Sequence, residues 1–309
     1  MIARFFAAAL FASALALPAQ QEGAFPTQSI VTVDSKSPLK LTVQTIKAKV
    51  NRRETPVAGV LPLAPNGTQV ALLIDDGLRT SIGRQLPDIK KFIQSLPAGV
   101  EIFVGYMQNG RVVSSQPFTT DHDAAANNLR LPLGAIGVSA SPYFCLSDFV
   151  KNWPGSESDP AAQPGPKARF VMMLTNGVDP YNGSVSPMNQ NSPYVDTAVS
   201  DAQRAGVPVY SIYYGDAGIR GGAASFSGQN YLTQIADSTG GRAYYQGMGN
   251  PVSLTPFLNQ FKASIAESYV VTYDAASSRL VEVNFSTSLP KTKLQSTRMV
   301  RPGTRLAGN

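Results

Sequence analysis

The sequence predicts an α/β chain: a doubly wound, mostly parallel sheet with one antiparallel edge strand, plus a small β module formed by the N- and C-terminal strands. Three observations predict it. Consecutive apolar runs, VALLI at 70–74, FVMML at 170–174 and VPVYSIYY at 207–214, read as strands buried on both faces. Segments of helical spacing separate them, so successive strands lie parallel with crossovers between. Both ends of the chain instead alternate apolar and polar residues, as strands with one wet face do.

Composition narrows the chemistry. At 309 residues and 43% hydrophobic content the chain can bury a full core. Its 26 Lys and Arg against 20 Asp and Glu give +6, but the charges are scattered, which argues against nucleic acid as a partner. A single cysteine, Cys145, and a single histidine, His122, exclude an intramolecular disulfide and a Cys/His zinc set. No G-x-S-x-G elbow presents a serine to His122.

The elements follow in order. MIARFFAAALFASALALPAQQ has Arg4 before an apolar run from Phe5 to Leu17 and small residues at Ala14-Leu15-Ala16, the pattern of a cleavable signal over 1–19. The run is shorter than the roughly 20 residues of a spanning helix, and no lipidation cysteine follows it. The expected location is therefore secreted or periplasmic, without a membrane span. Residues 29–66 are N-terminal strands, 67–267 the α/β domain, and 268–309 C-terminal strands pairing with the first set. Within the domain, helices are expected from Pro87 to Leu96, from Asp121 to Leu131, and over Tyr143–Trp153 and Tyr194–Ala205. Further helices are expected over Tyr231–Thr239 and from an Asn250-Pro251 start to Ala266. Asn109-Gly110 marks a tight hairpin, and Gly215–Gly228 reads as a glycine-serine loop.

Three passages, VALLIDDGLRTS, MLTNGVDPY and DAQRAGVPVYSIYYG, resemble the von Willebrand factor A-type (VWA) family over roughly 69–266, in a VWA/Rossmann-like fold. With the signal, the β-rich ends and SPYFCLSDFVKNWP, the chain resembles an exported acidobacterial branch of it. The resemblance implies a divalent cation held by D-x-S-x-S, a threonine and T-D-G, which captures a ligand carboxylate. Here Asp75 matches the first aspartate, while the two serines fall on Gly77 and Arg79 and the later aspartate on Asn176. For the threonine only Ser139 or Ser141 is available. Glycine offers no side-chain oxygen and arginine brings a positive charge, so the adhesion site reads as degenerate and Mg²⁺ is disfavoured. If any metal binds, it is at Asp75 with Ser139 or Ser141.

The expected function is non-enzymatic binding of a protein or envelope partner by loops at the carboxyl edge of the sheet. The residues expected there are Asp75, Asp76, Gly77, Arg79, Ser139, Ser141, Asn176, Asp179, Tyr181, Asp216 and Arg220. Arg79 is read either as a built-in cation pairing with Asp75 or as a solvated residue of the first helical turn. Tyr194, Tyr213, Tyr214 and Tyr231 lie in or beside the same loops, as binding aromatics or as packing. The alternatives are a structural envelope component and a phosphohydrolase with Asp75 as nucleophile, for which Gly77 supplies no general acid.

Overall fold

A computed structural model describes residues 23–134, 138–155, 166–179, 181, 191–215, 221–247 and 249–306. The expected signal at 1–19 lies outside the described residues. Among them, no helix is long and apolar enough to cross a membrane.

The central sheet is built from β5 (Thr68–Asp75), β6 (Glu101–Gln108), β7 (Arg111–Val113), β8 (Ala168–Thr175), β9 (Val209–Tyr213) and β10 (Ala243–Tyr244). Its order is β10-β9-β8-β5-β6-β7, parallel throughout except for the β6–β7 hairpin at the edge. Read from β7, the strands come third, second, first, fourth, fifth and sixth, the doubly wound order. Asn109 and Gly110 both take positive φ, 47° and 76°, as a two-residue hairpin turn matched to strand twist requires.

The apolar runs serve both faces by parity. Val70, Leu72 and Ile74 of β5 join Phe170, Met172 and Leu174 of β8 in one core. Ala71 and Leu73 join Val171 and Met173 in the other. The first core is covered by α1 (Leu86–Gln94), α2 (His122–Asn127) and α6 (Thr255–Ala266). The second is covered by α3 (Pro142–Lys151), α4 (Pro193–Ala205) and α5 (Gly221–Thr239).

Three expected boundaries move. α2 ends at Asn127, not Leu131, and the chain to Gly134 contains no regular element. α5 begins at Gly221, ten residues before Tyr231, inside the stretch expected to be loop. α6 starts at Thr255, capped by Asp88 of α1, whose Oδ2 accepts the N–H groups of Leu254 at 2.9 Å and Thr255 at 3.2 Å.

The ends pair antiparallel. β1 (Phe25–Asp34) lies between β11 (Ser268–Ala275) and β13 (Lys293–Ser296), with β4 (Val57–Pro62) beyond β11. β2 (Ile46–Val50) lies between β3 (Arg53–Thr55) and β12 (Val281–Thr287), with β14 (Met299–Val300) beyond β12. Val31, Val33, Val271, Tyr273, Val283 and Phe285 fill the space between these two sheets. The other face of β1 and β11 carries Ile30 and Val270 into the core that also holds Leu258, Phe261 and Ile265 of α6.

Candidate functional site

The strand order reverses between β5 and β8, and open α/β sheets bind ligands outside the carboxyl ends of their strands at such a point. Asp75 closes β5 and Thr175 closes β8. The Thr175 hydroxyl donates to Asp75 Oδ2 at 2.7 Å, and the Gly77 N–H donates to Oδ1 at 2.9 Å. Thr175 Oγ1 in turn accepts the Gly177 N–H at 3.1 Å. Asp75 is only 3% exposed, so its oxygens are served by donors from the protein.

Asp76, the next residue, turns to the opposite face and is fully buried. Arg130 grips it as a fork, Nη1 to Oδ1 at 2.7 Å and Nη2 to Oδ2 at 2.8 Å. Gln108 Nε2 and the Leu133 N–H at 2.9 Å complete the set. Burial pushes the Asp76 carboxyl upward, but the hydrogen bonds from Arg130, Gln108 and Leu133, with the guanidinium charge, outweigh it and hold the group below its ordinary range. Arg130 stands 3.7 Å over the Tyr106 ring, and its backbone exchanges hydrogen bonds with the Tyr106 hydroxyl. Sequence reasoning missed Arg130 and Gln108. The available signal was a lone arginine in the apolar stretch Leu129–Leu133, since a charge there needs a partner.

Ser141 Oγ accepts the Tyr143 N–H at 3.3 Å and caps α3, while Ser139 gives its carbonyl to Gly110 N–H and the Cys145 thiol. Asn176 Oδ1 accepts the Val178 N–H at 2.9 Å. Asp179, 3% exposed, accepts the Ser192 hydroxyl at 2.8 Å and the Tyr181 N–H at 3.1 Å, tying the loop after β8 to the start of α4. Gly177 has φ +65°, and a side chain there would meet the Gly228 carbonyl of α5 at 2.6 Å, so glycine is required twice over. Its carbonyl accepts the Tyr143 hydroxyl. Arg79 is exposed at the N-cap of the short 3₁₀ helix Thr80–Gln85. Asp216 and Arg220 lie outside the described residues.

A hard divalent cation requires an oxygen shell of about six ligands. Gly77 contributes no side-chain oxygen, Asn176 turns its own to Val178, and both Asp75 oxygens accept protein hydrogen bonds. Among the described residues, no three His, Cys, Asp or Glu side chains cluster to hold an ion. The described residues at this edge do not supply the oxygen shell of the cation that the resemblance implies.

Aromatics occupy the α3–α4 side of this edge. The Phe144 ring meets Tyr194 edge-on at 4.7 Å and Tyr181 at 5.2 Å, and Tyr181 is 57% exposed. Tyr213, Tyr214 and Tyr231 are buried in the two cores rather than offered at the surface.

The doubly wound sheet with one antiparallel edge strand is Rossmann-like. No protein-family model matches the chain, and no curated protein matches it. Among solved structures it is similar to the von Willebrand factor type A protein from Catenulispora acidiphila, at 10% identity over 92% of this chain and 75% of that one, TM-score 0.42. It is also similar to the ArnB paralog VWA2 from Sulfolobus acidocaldarius, at 11% identity over 89% and 76%, TM-score 0.37. A third is an aerotolerance-related membrane protein from Bacteroides fragilis, at 10% identity over 64% and 98%, TM-score 0.39.

Proposed function

We propose that this VWA-like protein is an exported, non-enzymatic binding module that takes a protein or envelope partner on the loops at the carboxyl edge of the sheet, without a metal ion. The aromatic step Tyr181–Phe144–Tyr194 carries the reading: an exposed tyrosine, packed on Phe144, whose ring Tyr194 in turn meets edge-on, stands beside the switch point. Rigid aromatic area of this kind suits recognition at low conformational cost. VWA-like folds commonly mediate protein interactions.

The carboxylates support the same reading. Asp75 and Asp76 diverge to opposite faces, each held by protein donors, so no pair of them shares a substrate as general acid and base. Turnover of an aryl phosphate that is abolished by Asp75→Asn would overturn the non-enzymatic assignment. The binding test is capture from envelope extract, identification of the captured protein, and affinity measurement with wild type, Tyr181→Ala and Phe144→Ala. A loss of at least tenfold in both variants is expected; unchanged affinity in both refutes the assigned face. Cell fractionation, with the mature N-terminus sequenced, tests export and the signal over 1–19.

A further inference from the structure

The net charge of the chain is unevenly placed. Residues 23–66 and 268–309, which carry the β module, hold twelve Lys and Arg against four Asp and Glu, whereas 67–267 hold thirteen against fifteen. The positive excess therefore belongs to the module, and such asymmetry marks an anionic surface as partner. Scattered along the chain, these charges are gathered by strand pairing into five lysines at one end of the module. Lys36 and Lys40 lie in the connection 35–45 between β1 and β2, and Lys291 in the connection 288–292 between β12 and β13. Lys47 and Lys293 stand at the adjoining strand ends, opposite Ser286 and Asp34. The two connections are tied together: the Ser288 N–H donates to the Thr45 carbonyl at 3.1 Å, and the Thr287 hydroxyl donates to it at 2.8 Å.

All five lysines are exposed, and none enters an ion pair among the described residues. The carboxylates placed with them are Asp34, which Arg242 Nη2 holds at 2.7 Å, and the half-buried Glu267, whose carbonyl accepts the Val33 N–H at 3.0 Å. With Arg242 counted, six cations stand against two anions. Ammonium groups on loops and strand ends offer point charges to a plane of phosphates, not a fork to one group in a pocket. Neither connection contains an aromatic residue, so this end lacks the stacking platform that single-stranded nucleic acid uses. Arg242 directly precedes β10, which sets this end of the module at the amino edge of the central sheet, the edge opposite the loop face.

We propose that this lysine end docks electrostatically on an anionic phospholipid bilayer, the headgroup phosphates serving as its counter-ions. The surface is distinct from the loop face and leaves that face on the far edge of the sheet. Each lysine held near such a bilayer favours binding by about fivefold. The test is co-sedimentation of the full chain with vesicles of phosphatidylglycerol and phosphatidylcholine at 3:7, and with vesicles of phosphatidylcholine alone. Binding at least tenfold stronger to the anionic vesicles is expected, cut at least tenfold when NaCl rises from 0.1 to 0.5 M. Combined Lys36→Gln, Lys40→Gln and Lys291→Gln, all at exposed positions, lower it by about a hundredfold. Combined Arg53→Gln, Arg279→Gln and Arg301→Gln remove the same charge from the other end of the module and lower it less than threefold. Tyr181→Ala leaves it unchanged, which separates this surface from the loop face. Absence of vesicle binding, equal binding to both vesicles, insensitivity to salt or an equal loss in the two triple variants would overturn the proposal. Tighter capture by a single-stranded oligonucleotide or a sulfated polysaccharide than by the anionic vesicles would overturn it as well.

Discussion

At the scale of single residues, the molecule depends on how a buried charge is held. Asp76 is fully enclosed, whereas the Arg130 side chain that pairs with it keeps 40% of its surface exposed. Arg130→Ala strands the carboxylate and is expected to cost about 3 kcal/mol, the lower end for an uncompensated buried charge because the guanidinium is half solvated. Chemical denaturation at pH 7 reads this directly. The pH dependence has a definite sign. Burial opposes ionisation of Asp76 and of Asp88, but hydrogen bonds to both outweigh it, so each carboxyl sits below its ordinary 3.8 in the folded chain. Their stabilisation is therefore complete above about pH 4 and is lost as pH falls through the lower folded values. The melting temperature is expected to be flat from pH 7 to 5 and to fall below 4, less steeply in Asp76→Asn. Cys145 is buried, donates its thiol to the Ser139 carbonyl at 3.3 Å, and has its pKa pushed up to about 12 by burial and the neighbouring Asp75. Native protein should resist a thiol reagent that labels the unfolded chain within minutes. For the cation, titration with Mg²⁺ and Mn²⁺ should show no saturable binding by wild type and measurable binding by Gly77→Ser, Arg79→Ser, Asn176→Asp combined; micromolar binding by wild type would sink the metal-free reading.

At the scale of elements, long-range contacts decided what local pattern left open. The strands of the central sheet were legible because burial on both faces leaves an unbroken apolar run. The hairpin was legible because only residues tolerant of positive φ fit its turn. The start of α6 was not: its N-terminal N–H groups are satisfied by Asp88, distant in sequence, rather than by a local cap at Asn250. Asp88→Ala should cost about 1–2 kcal/mol, as loss of a helix cap does, with the fold retained in circular dichroism. Nor was the first half of α5, GGAASFSGQN, whose glycines weaken helix propensity. Gly228 instead lets the helix backbone approach Asn176 and Gly177 closely, so tertiary fit overrides the local preference. The site divides the same way. Asp75 was legible from its place at a strand end, whereas its partner Thr175 and the Arg130 clamp on Asp76 depend on which strands lie side by side and where α2 stops.

At the scale of the whole molecule, the β-rich ends and the α/β domain are joined by one apolar core. Ile30 and Val270 pack with Phe261 and Ile265, and Leu306 is 2% exposed in the same cluster. Deleting 280–309 removes β13, the partner of β1, and β12, the partner of β2, together with β14 beyond it, and bares two strand edges. The shortened chain is expected to aggregate or to lose at least ten degrees of melting temperature; unchanged melting and monodispersity would refute it. The last described residues return to the first: Gln28 N–H donates to the Thr304 carbonyl at 2.9 Å, Gly303 N–H to Thr27 Oγ1 at 2.9 Å, and Leu306 N–H to Gln28 Oε1 at 2.7 Å. This clasp has a mechanical meaning. Tension applied through the two ends enters and leaves at adjacent points, so the pull is borne by the clasp itself. The switch point and its aromatic step lie away from that path, so a grip made there carries no load until the clasp opens.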